Sequence, residues 1–437
     1  MPISKDTPIS ILGSGAWGLS TAIHLLAAGH TNLTVYDRSP EIPSPYSAAY
    51  DLNKIVRAEY EDPFYTRLAL QAIHAWKTHP AFTPHYHQTG YVVACTGRAP
   101  PKAVEHLEKA LASIEQDPAF KAGIRRLEGR EAFRDYTWQY TGPLSQWKGY
   151  YNRLAGYAHS SDSLRSAWEF AARRGVKFVL GEEAGRVTKL VYSGKKCTGF
   201  VTADGQTHSS ALTIVALGAH GASLLPSLGK FSVARSWSVA HVQLTEEECN
   251  LLRGIPTTNV RDLGFFFEPD PKTRLFKLCP LGIGYTNPDA KTGISLPPPD
   301  RLPPPQDFIP YEDEKKLRQL LRETFPWMAS RPFVDQKLCW FADTADSEYC
   351  IDYVPGTENS VICLSGDSGH GFKMMPVFGE WVVELIQRGK QPLERWQWRE
   401  GSVGGGDWGE KVSWRIGKGA ELGELIRAKE RVVRARL

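Results

Sequence analysis

No apolar stretch of this 437-residue chain approaches the ~20 residues that span a bilayer, so no transmembrane helix is expected. The N-terminus lacks the ordered charged, apolar and cleavage-site segments of a signal peptide, and an apolar run begins by Ile9. No paired metal-ligand spacing occurs among the seven cysteines, which are spread from Cys95 to Cys363. The count is odd and no secretion signal is seen, so the expectation is reduced thiols inside a cell, most of them buried small apolar groups, and no metal. Neither acidic nor basic residues dominate. Lys and Arg number 52 against 48 Asp and Glu, and the net +4 does not imply a nucleic-acid partner. No internal repeat is seen. What remains is 42% hydrophobic and 23% charged, ordinary for a globular enzyme of roughly two to three domains.

The start of the chain carries the sharpest signal. Ile9 to Leu12 is apolar and leads into Gly13-Ser14-Gly15-Ala16-Trp17-Gly18. Helical spacing follows from Leu19 to Ala28, and a second apolar run, Leu33 to Tyr36, ends on Asp37. This reads as strand, glycine turn, helix and strand closed by an acid, the pattern of a dinucleotide site. Gly13 permits the turn, Gly15 admits a pyrophosphate to the backbone, and Gly18 lets the helix pack against the strand. The helix N-terminus offers N–H groups to phosphate, and Asp37 can accept from a ribose hydroxyl.

Further along, Trp76 to Ala94 reads as aromatic and strand-like, and Lys102 to Glu131 as amphipathic helix. A helix is expected over Leu164 to Arg174, a strand over Val176 to Leu180, and a hairpin over Val187 to Tyr192 and Gly199 to Thr202. Ala211 to Gly218 reads as a buried parallel strand. Leu296 to Pro305 is a proline-rich loop, Glu312 to Phe325 and Gly379 to Arg388 are helical, and Ser360 to Ser365 is a strand. The nucleotide domain is therefore discontinuous: residues 1–85, 150–220 and 335–400, with a substrate domain from 86–149 and 221–334. Residues 401–437 read as a glycine-rich linker and basic tail. An N-terminal fingerprint, a split nucleotide domain and an aromatic β-rich insert favour a flavin over a nicotinamide.

Three segments sharpen this: Tyr50-Asp51-Leu52-Asn53-Lys54-Ile55-Val56-Arg57-Ala58-Glu59-Tyr60, Lys337-Leu338-Cys339-Trp340-Phe341-Ala342-Asp343-Thr344-Ala345-Asp346-Ser347-Glu348-Tyr349-Cys350-Ile351-Asp352, and Ser365-Gly366-Asp367-Ser368-Gly369-His370-Gly371-Phe372-Lys373. With the fingerprint, they resemble the amine-oxidising flavoproteins typified by monomeric sarcosine oxidase. Fungal fructosyl amino acid oxidases (amadoriases) and the saccharopine and pipecolate oxidases are the nearest forms, and the likeness runs to about Trp398. The resemblance implies an α/β plus α+β fold: a discontinuous Rossmann-type FAD-binding domain with a β-sheet-rich substrate domain, as in D-amino acid oxidase. It implies a monomer that acts on a small amine and dioxygen.

Carried across residue by residue, the resemblance places FAD against the Gly13–Gly18 turn, Asp37 and Arg38. Ser47, Asn53, Lys54, Val187 and Gly218 follow. Asp367, Gly369, His370, Gly371, Phe372 and Lys373 complete the set, and a covalent thioether falls on Cys339. Cys350, eleven residues on, is left to the core. Arg57 and Lys373 match the pair that holds the substrate carboxylate. Lys277 matches the lysine near the flavin N5 that favours electron transfer to dioxygen, and Lys54 a basic residue beside the flavin. His370 is a further candidate for hydrogen bonding to the cofactor or polarising the site.

Two departures bear on substrate. Amadoriases carry a glutamate for sugar hydroxyls four residues after that lysine, where this chain has Leu281, and a small residue at Arg57. The expected reaction is therefore oxidation of the secondary amine C–N bond of an N-substituted or cyclic amino acid, of the saccharopine, pipecolate or N-methyl type, with release of H2O2. A fructosyl amino acid oxidase is the alternative, and a flavin dehydrogenase or biosynthetic enzyme a more distant one. The C-terminal Ala435-Arg436-Leu437 resembles a peroxisomal targeting tripeptide, which suits a peroxide-forming enzyme. Without that signal a cytoplasmic location is expected.

Overall fold

Strand Ile9–Leu12 is buried at all four positions, as expected for a parallel strand covered on both faces. It pairs in parallel with Leu33–Asp37 on one side and Leu212–Val215 on the other. Lys177–Leu180 extends the sheet beyond Leu33–Asp37, and Val361–Ser365 extends it beyond Leu212–Val215. Cys350–Tyr353 closes the edge antiparallel, making six strands. This computed structural model describes residues 3–298, 308–400, 412, 415–417 and 419–426.

Helix Ala16–Ala27 covers the first strand and packs on helix Met375–Arg388. The two approach closely because residue 379 is glycine: a Cβ there would lie 2.3 Å from the Ser20 carbonyl oxygen. The Gly379 N–H also donates to Ser20 Oγ at 2.9 Å. That contact ties the glycine turn at the start of the chain to the segment just after Lys373.

Among the described residues the second sheet has ten strands. Its centre is Ser232–Gln243, which pairs antiparallel with Leu275–Pro280 and with Val334–Thr344. Gly264–Phe266, Thr257–Val260, Tyr91–Cys95, Lys148–Asn152 and Ile124–Glu128 continue it. Helix Tyr311–Thr324 supplies Leu317, Leu320 and Leu321 to the apolar core over this sheet. The α/β sheet beside a large mixed sheet matches the expected fold class.

Several local expectations need correction. Lys102 to Glu131 is not one helix. The helix runs Pro101–Glu115, followed by strand Ile124–Glu128 and helix Gly129–Arg134. Pro118 explains the break, since it disfavours helix for Asp117 and cannot donate to the turn before it. Trp76 lies in helix Pro63–Thr78, not in a strand. Its buried neighbours Tyr65, Ala69, Ala72 and Ile73 recur at helical spacing, and Asp62 caps the helix by accepting from Phe64 N–H at 2.8 Å. The boundaries at 150 and 335 fall inside strands Lys148–Asn152 and Val334–Thr344, both of the larger sheet. Most of the Pro-rich loop, the glycine run from Gly401 and the C-terminal tripeptide lie outside the described residues. No helix among the described residues is long and apolar enough to cross a membrane.

Candidate active site

The glycine turn opens onto a cavity of about 740 Å³. Gly13 has φ +107°, and a Cβ there would lie 2.5 Å from the Ala216 carbonyl oxygen. A Cβ on Gly18 would lie 1.9 Å from the Gly13 carbonyl oxygen, so the helix can start here only with glycine. Gly15 is the helix N-cap. It has no side chain to cap the first turn, and no acid stands in that turn. Gly15, Ala16 and Trp17 face the cavity, so the uncapped helix N-terminus presents its N–H donors to whatever fills it. Ser14 and Gly18 stand behind this wall.

Asp37 is tied to the protein more fully than the ribose role requires. Its Oδ2 accepts from Ser14 N–H at 2.8 Å and Ser14 Oγ at 2.7 Å. Its Oδ1 accepts from Ser39 N–H at 2.9 Å and Ser44 Oγ at 3.1 Å. The carboxylate at the end of the second strand thus holds the glycine turn in place. Arg38 pairs with Glu182 at 3.2 Å and lies over the Tyr46 ring at 4.3 Å. Asp37, Arg38, Ser47, Val187 and Gly218 all line the same cavity. Asn53 does too, and its buried Oδ1 has no partner. An uncapped helix end, an unpartnered amide oxygen and a cavity of this volume fit a dinucleotide.

Lysines line the same cavity. Lys277 is 1% exposed on strand Leu275–Pro280 and donates to Asp51 Oδ2 at 2.5 Å and to the Asn53 carbonyl at 2.6 Å. Lys54 reaches the same carboxylate at 3.1 Å, and Lys337 comes within 3.6 Å. Burial alone would raise the Asp51 carboxyl, but Lys277, Lys337 and Lys54 outweigh it and hold it well below the usual carboxylate range. One carboxylate therefore anchors three ammonium groups, of which Lys277 and Lys54 line the cavity. Lys54 Nζ also lies 3.6 Å from Cys339 Sγ. Cys339 alone of the seven cysteines is not buried, and it faces the cavity. Cys350 is in the core, as expected.

A third group joins Arg57, Tyr60, His370 and Lys373. Lys373 Nζ donates to Tyr60 Oη at 3.0 Å and to the His370 carbonyl at 2.8 Å. Tyr60 Oη lies 3.0 Å from His370 Nδ1, as does Tyr349 Oη. His370 Nε2 lies 2.8 Å from the Ser347 carbonyl. A carbonyl only accepts, so Nε2 carries the proton and Nδ1 accepts from the phenols. Burial, then Lys373, holds the imidazole well below its usual value and keeps it neutral. Both ring nitrogens of His370 are thus engaged by protein groups. Burial, then Arg57, pushes the Lys373 ammonium well below its usual value. Arg57 lies over the Tyr60 ring at 4.8 Å, and Arg57, Lys373 and Leu281 all line the cavity. Asp367, Gly369, Gly371 and Phe372 line it as well. A Cβ on Gly371 would lie 2.7 Å from the Trp17 ring, so this loop closes against the glycine turn.

Sequence reasoning passed over Asp51, Asn259 and Arg261. Asp51 was visible in the Asp51-Leu52-Asn53-Lys54 segment, but its service to three lysines depends on strands far apart in sequence. Asn259 and Arg261 also face the cavity. Their two-residue spacing at strand Thr257–Val260, beside an aromatic run, was the signal available.

The FAD dependent oxidoreductase family model matches residues 9–385. The chain belongs to this family. It is 31% identical to L-saccharopine oxidase of Schizosaccharomyces pombe, over 93% of this chain and 95% of that protein. Monomeric sarcosine oxidase of Arthrobacter sp. is 26% identical over 89% of this chain and 95% of its own length. Among solved structures, fructosamine oxidase (Amadoriase II) from Aspergillus fumigatus superposes with a TM-score of 0.86 at 32% identity, covering 97% of each chain. The chain is accordingly an FAD-dependent oxidoreductase of amines.

Proposed function

We propose that the enzyme oxidises the secondary-amine C–N bond of an N-substituted or cyclic α-amino acid, consuming dioxygen and releasing H2O2 and an imine. The observation that carries this is the convergence of Arg57, Lys373 and Leu281 on the cavity that begins at the glycine turn. FAD, when bound, supplies the acceptor for the hydride equivalent from the substrate carbon. Arg57 offers a carboxylate two parallel N–H donors, and Lys373 adds a point charge. An arriving carboxylate restores the charge that burial disfavours on Lys373. Leu281 is 7% exposed and offers sugar hydroxyls no acceptor. Lys277, anchored by Asp51, keeps a positive charge for dioxygen as it gains electrons.

The likeness to amadoriase structures supports the alternative, deglycation of a fructosyl amino acid. A dehydrogenase passes its electrons elsewhere. Measured peroxide equal to amine consumed, without an artificial acceptor, supports the oxidase; turnover only with an acceptor contradicts it.

The same reading assigns the covalent flavin link to Cys339, supported by its accessible thiol beside Lys54. Acid-precipitated, washed protein is expected to stay yellow, and Cys339→Ser to release its flavin into the supernatant. Flavin freely extracted from the unaltered protein contradicts the link. A monomeric state, the division into cofactor and substrate domains, and peroxisomal delivery through Ala435-Arg436-Leu437 belong to this proposal.

A further inference from the structure

Arg261 follows strand Thr257–Val260, and its backbone N–H is fixed to the Ala94 carbonyl at 2.8 Å. The residue is 5% exposed, yet Nε and Nη2 of its guanidinium have no hydrogen-bond partner. Among the described residues the one side-chain hydrogen bond it makes is Nη1 to Asn259 Oδ1, long at 3.4 Å. A buried guanidinium left unpartnered is costly, and Arg261 sits where a ligand can partner it, on the wall shared with Arg57 and Lys373.

The charges around it do not balance. Arg57, Arg261 and Lys373 are three buried or half-buried basic groups that line the same cavity, and the Arg57 charge acts on both of the others. The neighbouring buried acid is Glu59. Its Oε1 accepts from the Asn152 amide at 2.6 Å and its Oε2 has no partner, so it makes no ion pair with the three. The proposed α-carboxylate answers Arg57 and Lys373. It leaves Arg261 still without an anion.

We propose that Arg261 binds a second carboxylate of the substrate, carried on the nitrogen substituent, and so selects N-(carboxyalkyl) α-amino acids over cyclic and N-alkyl monocarboxylates. This rests on the secondary-amine reading above. Asn259 holds the guanidinium at the cavity wall, and the planar fork suits a carboxylate. The second acid is read at a point separate from the reacting carbon, so it acts on binding more than on the chemical step.

Two measurements on the flavin-containing protein test this. The first follows thermal stability and the visible flavin spectrum during titration with glutarate or butyrate. Glutarate is expected to bind and butyrate to bind far more weakly. In Arg261→Met, glutarate affinity should fall about 10- to 100-fold, while the ligand-free melting temperature holds or rises because an unpaired buried charge is gone. Arg261→Lys should recover part of the affinity. The second measures kcat/KM for N-(carboxyalkyl)glycines of one to three methylenes against N-alkylglycines of equal length. The ratio should favour the dicarboxylates and drop by about the same factor in Arg261→Met, chiefly through KM. Equal glutarate affinity in the native protein and Arg261→Met, whether or not the ligand-free melting temperature falls, makes Arg261 structural and overturns the proposal. If no secondary amine is oxidised, the proposed function fails, and the glutarate titration still decides Arg261.

Discussion

Lys277→Met is expected to slow reoxidation of the reduced enzyme by air about 10²- to 10³-fold, with far less effect on reduction by substrate. The geometry gives two reasons. Lys277 is 1% exposed, so its charge is little screened by solvent where dioxygen gains electrons. Its partner Asp51 keeps Lys54 and Lys337 after the substitution, so the carboxylate is not left alone and the wall is expected to hold its shape. Stopped-flow absorbance resolves the two half-reactions. Equal slowing of both would reduce Lys277 to a structural strut between the strand and the Asn53 carbonyl.

Arg57→Ala is expected to cost on the order of 2–5 kcal/mol in kcat/KM for the amino acid substrate. The loss has two parts: the bidentate contact to the carboxylate, and the exposure of Lys373 as its lone cationic partner. Lys373 is already held by Tyr60 and the His370 carbonyl, so it cannot swing to compensate. Arg57→Lys should recover charge but not fork geometry, and so only part of the rate. A change of less than about twofold in Arg57→Ala, below ~0.5 kcal/mol, would remove Arg57 from substrate binding.

The glycine turn was legible because its demands are local: φ at Gly13 and close contact at Gly18 depend on a few consecutive residues. The same holds for the strands and helix around it. The long motifs placed Cys339, Lys373 and Arg57 on the one cavity. The Pro101–Glu115 helix was over-extended because amphipathic spacing continued past Pro118, and the chain broke at the proline. Asp51 and Arg261 were less legible for another reason. Asp51 gains its importance from Lys277 and Lys337, more than two hundred residues away, and Arg261 from the partner it lacks. His370 stood out in its motif, but its neutral, fully engaged ring is a product of Tyr60, Tyr349 and Ser347 meeting in space.

The central claim is that this cavity reads an amino acid carboxylate and a secondary amine, and does not read a sugar. A side-by-side comparison of kcat/KM by peroxide release tests it most directly, with saccharopine, pipecolate, sarcosine, fructosyl-lysine and fructosyl-valine as substrates. Arg57 and Leu281 predict that a member of the first three is oxidised best. A fructosyl amino acid clearly ahead of all three would contradict the account and show that the overall likeness to amadoriases outweighs these two positions.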